Sequence, residues 1–183
     1  MDPDAYHSDM TLRIRDATEA DAAACAAIYA PYVTGTAISL EVEPPPVAEM
    51  ARRIAAATRT HAWLVLEDAG RVAGYAYGSQ YHQRAGYRWA CEVSVYLEAG
   101  RRRTGAGRAL YTELFDRLAA RGLLLAVAVM TLPNEASVGL HRAMGFERVG
   151  LHPKIGFKHG AWHDVGLFQR VLADGEDPPR EPV

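Results

Sequence analysis

The stretch RRTGAGRALY, residues 102–111, decides how the second half of the chain is read. It follows a predicted strand over residues 88–97 and opens a predicted helix over 107–121, which carries Leu110, Leu114 and Leu118 on one face with Tyr111 and Phe115 beside them. Gly105 and Gly107 leave no side chain between a ligand and the backbone N–H groups. The helix N-terminus adds partial positive charge, which suits a pyrophosphate. Arg102, Arg103 and Arg108 bring charge-assisted hydrogen bonds to the same place. An NTPase P-loop would need Lys and Ser or Thr after its glycines, and here Arg108 and Ala109 follow Gly107. A dinucleotide fingerprint would need a glycine near position 110 and an acid at the end of the next strand. Leu110 and Met130-Thr131 stand there instead. For the hexapeptide alone, an ordinary glycine-containing turn with solvated arginines stays open beside a phosphate-binding loop.

Outward from this loop, the apolar run LLLAVAVM (123–130) reads as the next strand. A helix over 135–144 and strands near 147–151 and 165–171 follow. Towards the N-terminus lie a short strand (12–15), a helix opened by the capping-box sequence TEAD (Thr18–Asp21), and a second helix (47–59) entered through Pro44, Pro45 and Pro46. Strands over 62–67 and 72–78 are joined by a hairpin at Asp68–Gly70. The order β α α β β β α β α β β predicts an α/β (α+β) domain, a sheet with helices packed on it. One domain over 11–172 is expected, with a disordered leader (1–10) and a Pro- and charge-rich disordered tail (173–183).

A chain of 183 residues with 20 basic and 22 acidic side chains carries no basic nucleic-acid footprint. Its two cysteines, Cys25 and Cys91, are no disulfide framework. The acidic N-terminus is no signal peptide, and no apolar run approaches the ~20 residues of a membrane span. A cytoplasmic protein is the expectation. His159 and His163 have ligand-like spacing but no accompanying cysteines or carboxylates, so no metal is expected.

Arg102, Gly105 and Gly107 fit the acyl-CoA loop pattern [QR]-x-x-G-x-[GA] of the GNAT acetyltransferases. The segments that follow, VAVMTLPNEASVGLHRAMGFERVG and GFKHGAWHDV, resemble the phosphinothricin and methionine sulfoximine N-acetyltransferase family within that superfamily. The resemblance spans about residues 12–172, and GFKHGAWHDV is its most specific piece. It implies the GNAT fold, a central mixed sheet whose middle strands splay apart around acetyl-CoA. It further implies that the backbone of Ser94, Val95 and Tyr96 meets the pantetheine arm, that Arg102, Arg103, Thr104, Gly105, Ala106 and Gly107 hold the pyrophosphate, and that Asn134 and Ser137 line the far side. A homodimer is implied in the same way.

Amide formation requires a deprotonated amine, a polarised thioester carbonyl and a stabilised leaving thiolate. Glu92, in ACEVSVY, occupies the position at which the family's glutamate is thought to deprotonate the amine. Its apolar and aromatic surroundings (Trp89, Val93, Val95) favour burial and a raised pKa. His141 is the second candidate, base or acid, because Asn134, Ser137 and His141 share one helix face. Both have a plain alternative, a surface carboxylate and a buried structural histidine. Arg84 and Tyr87, with Arg88 nearby, match the family's substrate loop, and a planar guanidinium suits a carboxylate or phosphinate. His82 and Leu40 depart from the family pattern, Leu40 standing where a Phe is common. Cys91 points away from Glu92 on its strand, so direct transfer in a ternary complex is expected rather than an acetyl-cysteine. A polyamine, peptide N-terminus or aminoglycoside acceptor, or a CoA-binding sensor without turnover, are the rival readings.

Overall fold

The computed structural model describes residues 12–101, 104–175 and 179–183. Seven strands form one sheet: β1 (Arg13–Asp16), β2 (Trp63–Asp68), β3 (Arg71–Gln80), β4 (Ala90–Leu97), β5 (Leu125–Leu132), β6 (Glu147–Lys158) and β7 (Ala161–Val171). Their spatial order is β1-β2-β3-β4-β5-β7-β6, and every neighbouring pair is antiparallel except β4–β5. Four helices cover it: α1 (Ala22–Thr34), α2 (Val47–Thr60), α3 (Ala106–Ala120) and α4 (Glu135–Ala143). The element order is the one read from the sequence. No described helix is long and apolar enough to cross a membrane.

Alternation along the strands divides the core in two. Leu64, Leu66, Cys91 and Val93 pack with Leu110, Leu114 and Leu118 of α3. Trp63, Val65 and Tyr75 face the other way, onto Cys25, Ile28 and Val33 of α1 and Met50 and Ile54 of α2. Glu92, between Cys91 and Val93, therefore projects towards the α1–α2 face. Thr18 and Asp21 form the expected capping box, and Asp21 also receives Arg15 at 2.8 Å.

The clearest differences from the sequence reading lie in four strands. β5 begins at Leu125 rather than 123, because Gly122 ends α3 in a left-handed conformation and Leu123 is spent on turning back, its N–H donating to the Leu118 carbonyl. β4 begins at Ala90, since residues 85–87 form a 3-10 turn. β6 and β7 run on as a long hairpin through a stretch whose Pro153 and glycines read as loop. The extra residues are absorbed at irregularities between Arg148 and Gly150 and between His152 and Gly156, where an edge strand tolerates proline. The hairpin closes on His159 and Gly160, both at positive φ, the requirement of a tight two-residue turn.

The leader (1–10) and residues 176–178 lie outside the described residues. Residues 179–183 rest against the domain. Arg88 makes a bidentate pair with Glu181 at 2.5 Å, Trp89 Nε1 donates to the Arg180 carbonyl, and the Val183 N–H donates to the Arg121 carbonyl. Composition alone hid this, because the contacts come from residues some sixty to ninety positions upstream.

Candidate active site

β4 and β5 pair at only three positions, Ala90–Leu125, Cys91–Ala126 and Glu92–Val127. Beyond them each strand keeps its outer neighbour, β4 on β3 as far as Leu97 and β5 on β7 as far as Leu132. The facing edges of 93–97 and 128–132 thus part, and their backbone groups have no strand partner across the gap. A cavity of about 50 Å3 lies there, lined by Val93, Ser94, Val95 and Tyr96 on one side and Ala128, Val129 and Met130 on the other. Asn134, Ser137, His141, Tyr111 and Ile38 complete it. A larger open groove of about 660 Å3, lined by Arg108, Asp116, Glu147 and Arg170 among others, includes neither Glu92 nor His141.

The first turn of α3 follows β4. Gly105, at φ +82°, occupies the N-cap, where a side chain would be strained. The N–H groups of the first helical turn have no intrahelical acceptor, which suits the end to an anion. Thr104 orders the approach, its hydroxyl donating to the Arg101 carbonyl at 2.9 Å and accepting from the Ala106 N–H at 3.4 Å. Ala106 and Gly107 are buried. A Cβ on Gly107 would lie 3.2 Å from the Leu140 side chain, so the glycine lets α4 pack close. Arg102 and Arg103 lie outside the described residues. Arg101, which the sequence reading passed over, anchors the base of the loop on Asp68 and Glu98.

At the foot of the gap, Glu92 is half-buried, and burial raises its pKa above the usual carboxylate value. Among the described residues its carboxylate has no hydrogen bond or ion pair. Tyr77, cross-strand from Ser94 and stacked on Trp63, is buried and feels the charges of Glu92, Arg53 and Glu41. That second group is a network: the Tyr29 hydroxyl lies 2.6 Å from Ser39 Oγ and donates to Glu41, which also takes both terminal nitrogens of Arg53 at 2.7 and 3.2 Å. Buried Lys158 ties the β6–β7 hairpin to this wall by donating to the Val33 and Ser39 carbonyls at 2.6 Å each. Leu40 packs on Gly156, where a Cβ would come within 2.5 Å of it.

On the opposite face, α4 is capped by Asn134, whose Oδ1 accepts from the Ser137 N–H at 3.2 Å. The Asn134 carbonyl side is therefore committed to the helix end. His141 is buried, and burial lowers its pKa. Its Nδ1 lies 2.7 Å from the Ser137 carbonyl oxygen and its Nε2 2.9 Å from the Tyr111 hydroxyl.

The gap thus brings together Ser94, Val95, Tyr96, Asn134, Ser137 and His141, with Glu92 at its foot. It does not gather the proposed substrate loop. Arg84, Tyr87 and Arg88 are exposed and line no part of the cavity. Tyr87 packs on His82 with ring centroids 4.8 Å apart, and Arg88 is taken by Glu181 and by the Trp89 ring, 4.0 Å away. Sequence reasoning missed Tyr77, Lys158 and the Tyr29–Ser39–Glu41–Arg53 network. The available signal was weak, a tyrosine or lysine inside an otherwise apolar or glycine-rich stretch.

Residues 14–167 match the acetyltransferase (GNAT) domain family. The chain is 39% identical over 169 residues to a phosphinothricin N-acetyltransferase of Streptomyces viridochromogenes, covering 92% of each. It is 38% identical over 173 residues to an L-methionine sulfoximine/L-methionine sulfone acetyltransferase of Pseudomonas paraeruginosa, covering 93% of this chain and 98% of the relative. Among solved structures, a GNAT superfamily phosphinothricin acetyltransferase from Sinorhizobium meliloti in complex with acetyl-CoA superposes with a TM-score of 0.87 at 39% identity, covering 95% of this chain and 94% of that one. A middle pair of strands that parts at Glu92, a glycine-opened helix at its mouth and these likenesses agree: the chain is an acyltransferase belonging to the GNAT acetyltransferase family.

Proposed function

We propose that this enzyme transfers the acetyl group of acetyl-CoA directly to the amino group of a small amino-acid-like acceptor, of the phosphinothricin or methionine sulfoximine type. The observation that carries the reading is the parted β4–β5 edge, with the anion site of α3 next to it in sequence and an unpaired, half-buried carboxylate at its foot. Backbone groups of 93–96 that lack a strand partner across the gap suit the amides of pantetheine, and the N–H groups of residues 105–107 suit the pyrophosphate, with Arg102 and Arg103 preceding them in sequence.

In this reading Glu92 takes the first proton from the acceptor ammonium, directly or through a water. Its raised pKa brings it closer to the working range of a general base. Direct transfer is supported by the two thiols. Burial pushes both Cys25 and Cys91 up to about 12, which leaves no thiolate to carry an acetyl group. The acceptor class rests on the relatives and on Arg84, whose exposed guanidinium has the shape to hold a carboxylate or phosphinate. A homodimer fits the long β6–β7 hairpin, which exposes Val149, Ile155, Phe157 and Trp162. A cytoplasmic, resistance-type role follows from the same kinship.

Thiol release from acetyl-CoA tests the reading, with L-phosphinothricin, L-methionine sulfoximine, L-glutamate, spermidine and a short peptide as acceptors. Turnover confined to the first two is expected. Turnover with spermidine or peptide instead would overturn the acceptor class, and tight CoA binding without any turnover would make the chain a sensor.

A further inference from the structure

Tyr111 reaches from α3 to His141 on α4, its hydroxyl 2.9 Å from Nε2 and the two rings edge-to-face at 5.2 Å. Tyr111 is wholly buried and His141 is 3% exposed. The other imidazole nitrogen settles the direction of this bond. Nδ1 lies 2.7 Å from the Ser137 carbonyl oxygen, and a carbonyl only accepts. Nδ1 therefore carries the proton of the neutral ring, and the Nε2 lone pair receives the Tyr111 O–H. Both ring nitrogens are occupied, so His141 presents no free lone pair to the gap. Tyr111 lines the cavity beside it. Among the described residues the groups bonded to or stacked on His141 are neutral: Tyr111 from α3, Ser137 with Met130 of β5 behind it, and Phe146 from the turn after α4. The charge of Glu92 and the Tyr77 phenol, on the other face of the sheet, act on Tyr111 through space.

We infer that Tyr111 is a catalytic residue that holds His141 in one tautomer and links it to the reaction gap as the near member of a two-residue proton relay. The inference rests on the acetyltransferase reading above. After the amine attacks, the ammonium proton of the tetrahedral adduct passes to the Tyr111 oxygen while the phenol proton passes to Nε2. When the C–S bond breaks with its electron pair on sulfur, the Tyr111 proton goes to sulfur and the Nε2 proton returns to the phenol. Amide, CoA thiol, neutral imidazole and phenol remain, and no phenolate forms at any point. That matters because burial holds the Tyr111 phenol well above its ordinary value, too weak an acid to protonate a thiolate unaided.

Tyr111→Phe removes the hydroxyl alone. It should lower kcat about tenfold, the worth of one hydrogen bond, and leave KM for acetyl-CoA within about twofold. NMR of the His141 ring nitrogens should show the Nδ1–H tautomer in the wild-type enzyme, and a titration moved upward in Tyr111→Phe, since the donor favouring the neutral ring is gone. The double variant Tyr111→Phe, His141→Ala should lose no more than His141→Ala alone. An Nε2–H tautomer in the wild type, single losses that multiply in the double variant, or an unchanged His141 titration in an active Tyr111→Phe enzyme would each overturn the proposal. A wild-type enzyme that turns over no amine, with the His141 shift intact, would overturn the acetyltransferase reading and the relay built on it, leaving only the positioning.

Discussion

Two titratable groups stand at the parting of β4 and β5, one on each face of the sheet, and their surroundings are opposite. Glu92 projects to the α1–α2 face and has no hydrogen-bond partner among the described residues. His141 sits on the α3–α4 face with both ring nitrogens bonded. Burial shifts each away from its charged form, raising the carboxylate and lowering the imidazole. What distinguishes them is availability. A carboxylate without a partner among the described residues meets an incoming ammonium or water at once, whereas the imidazole reaches the gap only through Tyr111. Two candidate bases that the sequence left side by side thus receive different work.

The largest break in this comparison comes from Glu92→Gln. It should lower kcat/KM by about 10²–10⁴-fold in the thiol-release assay while calorimetry shows acetyl-CoA still bound. The wild-type pH profile should carry an acid limb above the ordinary carboxylate value, because activity falls as Glu92 takes up a proton through its raised pKa. Glu92→Gln should lack that limb.

His141→Ala should cost less in rate, about tenfold, but more in stability. Removing the ring strands the Tyr111 hydroxyl, and chemical denaturation should show a loss of about 1–3 kcal/mol. A larger rate loss than that of Glu92→Gln would reverse the assignment. Smaller again is Gly105→Ala, which places a side chain at φ +82° and should cost about 1–2 kcal/mol, read as a lower melting temperature and weaker acetyl-CoA binding.

The smallest effect has an unusual sign. A carboxylate whose folded pKa is raised costs folding free energy once pH passes its unfolded value, and the cost is complete above the folded one. Glu92→Gln should therefore melt higher than the wild type at about pH 8 and gain nothing at about pH 4. A melting temperature unchanged at both would mean that Glu92 is better solvated than its surroundings imply.

Much of the architecture could be read from the chain because it depends on local chemistry. Periodic leucines set α3, alternation set the strands, and Thr18 with Asp21 set the first cap. The β6–β7 hairpin was only half legible, since Pro153 and two glycines break the alternation and the bulges that absorb them need the partner strand. Of the candidate site, Ser94, Val95, Tyr96, Asn134, Ser137 and His141 were legible and do gather at one cavity. The pairing of Arg88 with Glu181 was not, because no local pattern links residues 93 positions apart.

By itself, then, the sequence determined the element order, the two-faced core and a glycine-opened helix suited to an anion. All of these follow from the spacing of apolar side chains and the conformational freedom of glycine. Only the tertiary structure decided where β4 and β5 cease to pair, that Lys158 reaches the Val33 and Ser39 carbonyls, and that Tyr111 occupies the lone pair of His141. Each of these is a contact between residues at least thirty positions apart. The reason is physical: whether a buried polar group is free or bonded depends on what the rest of the chain places within 3 Å of it.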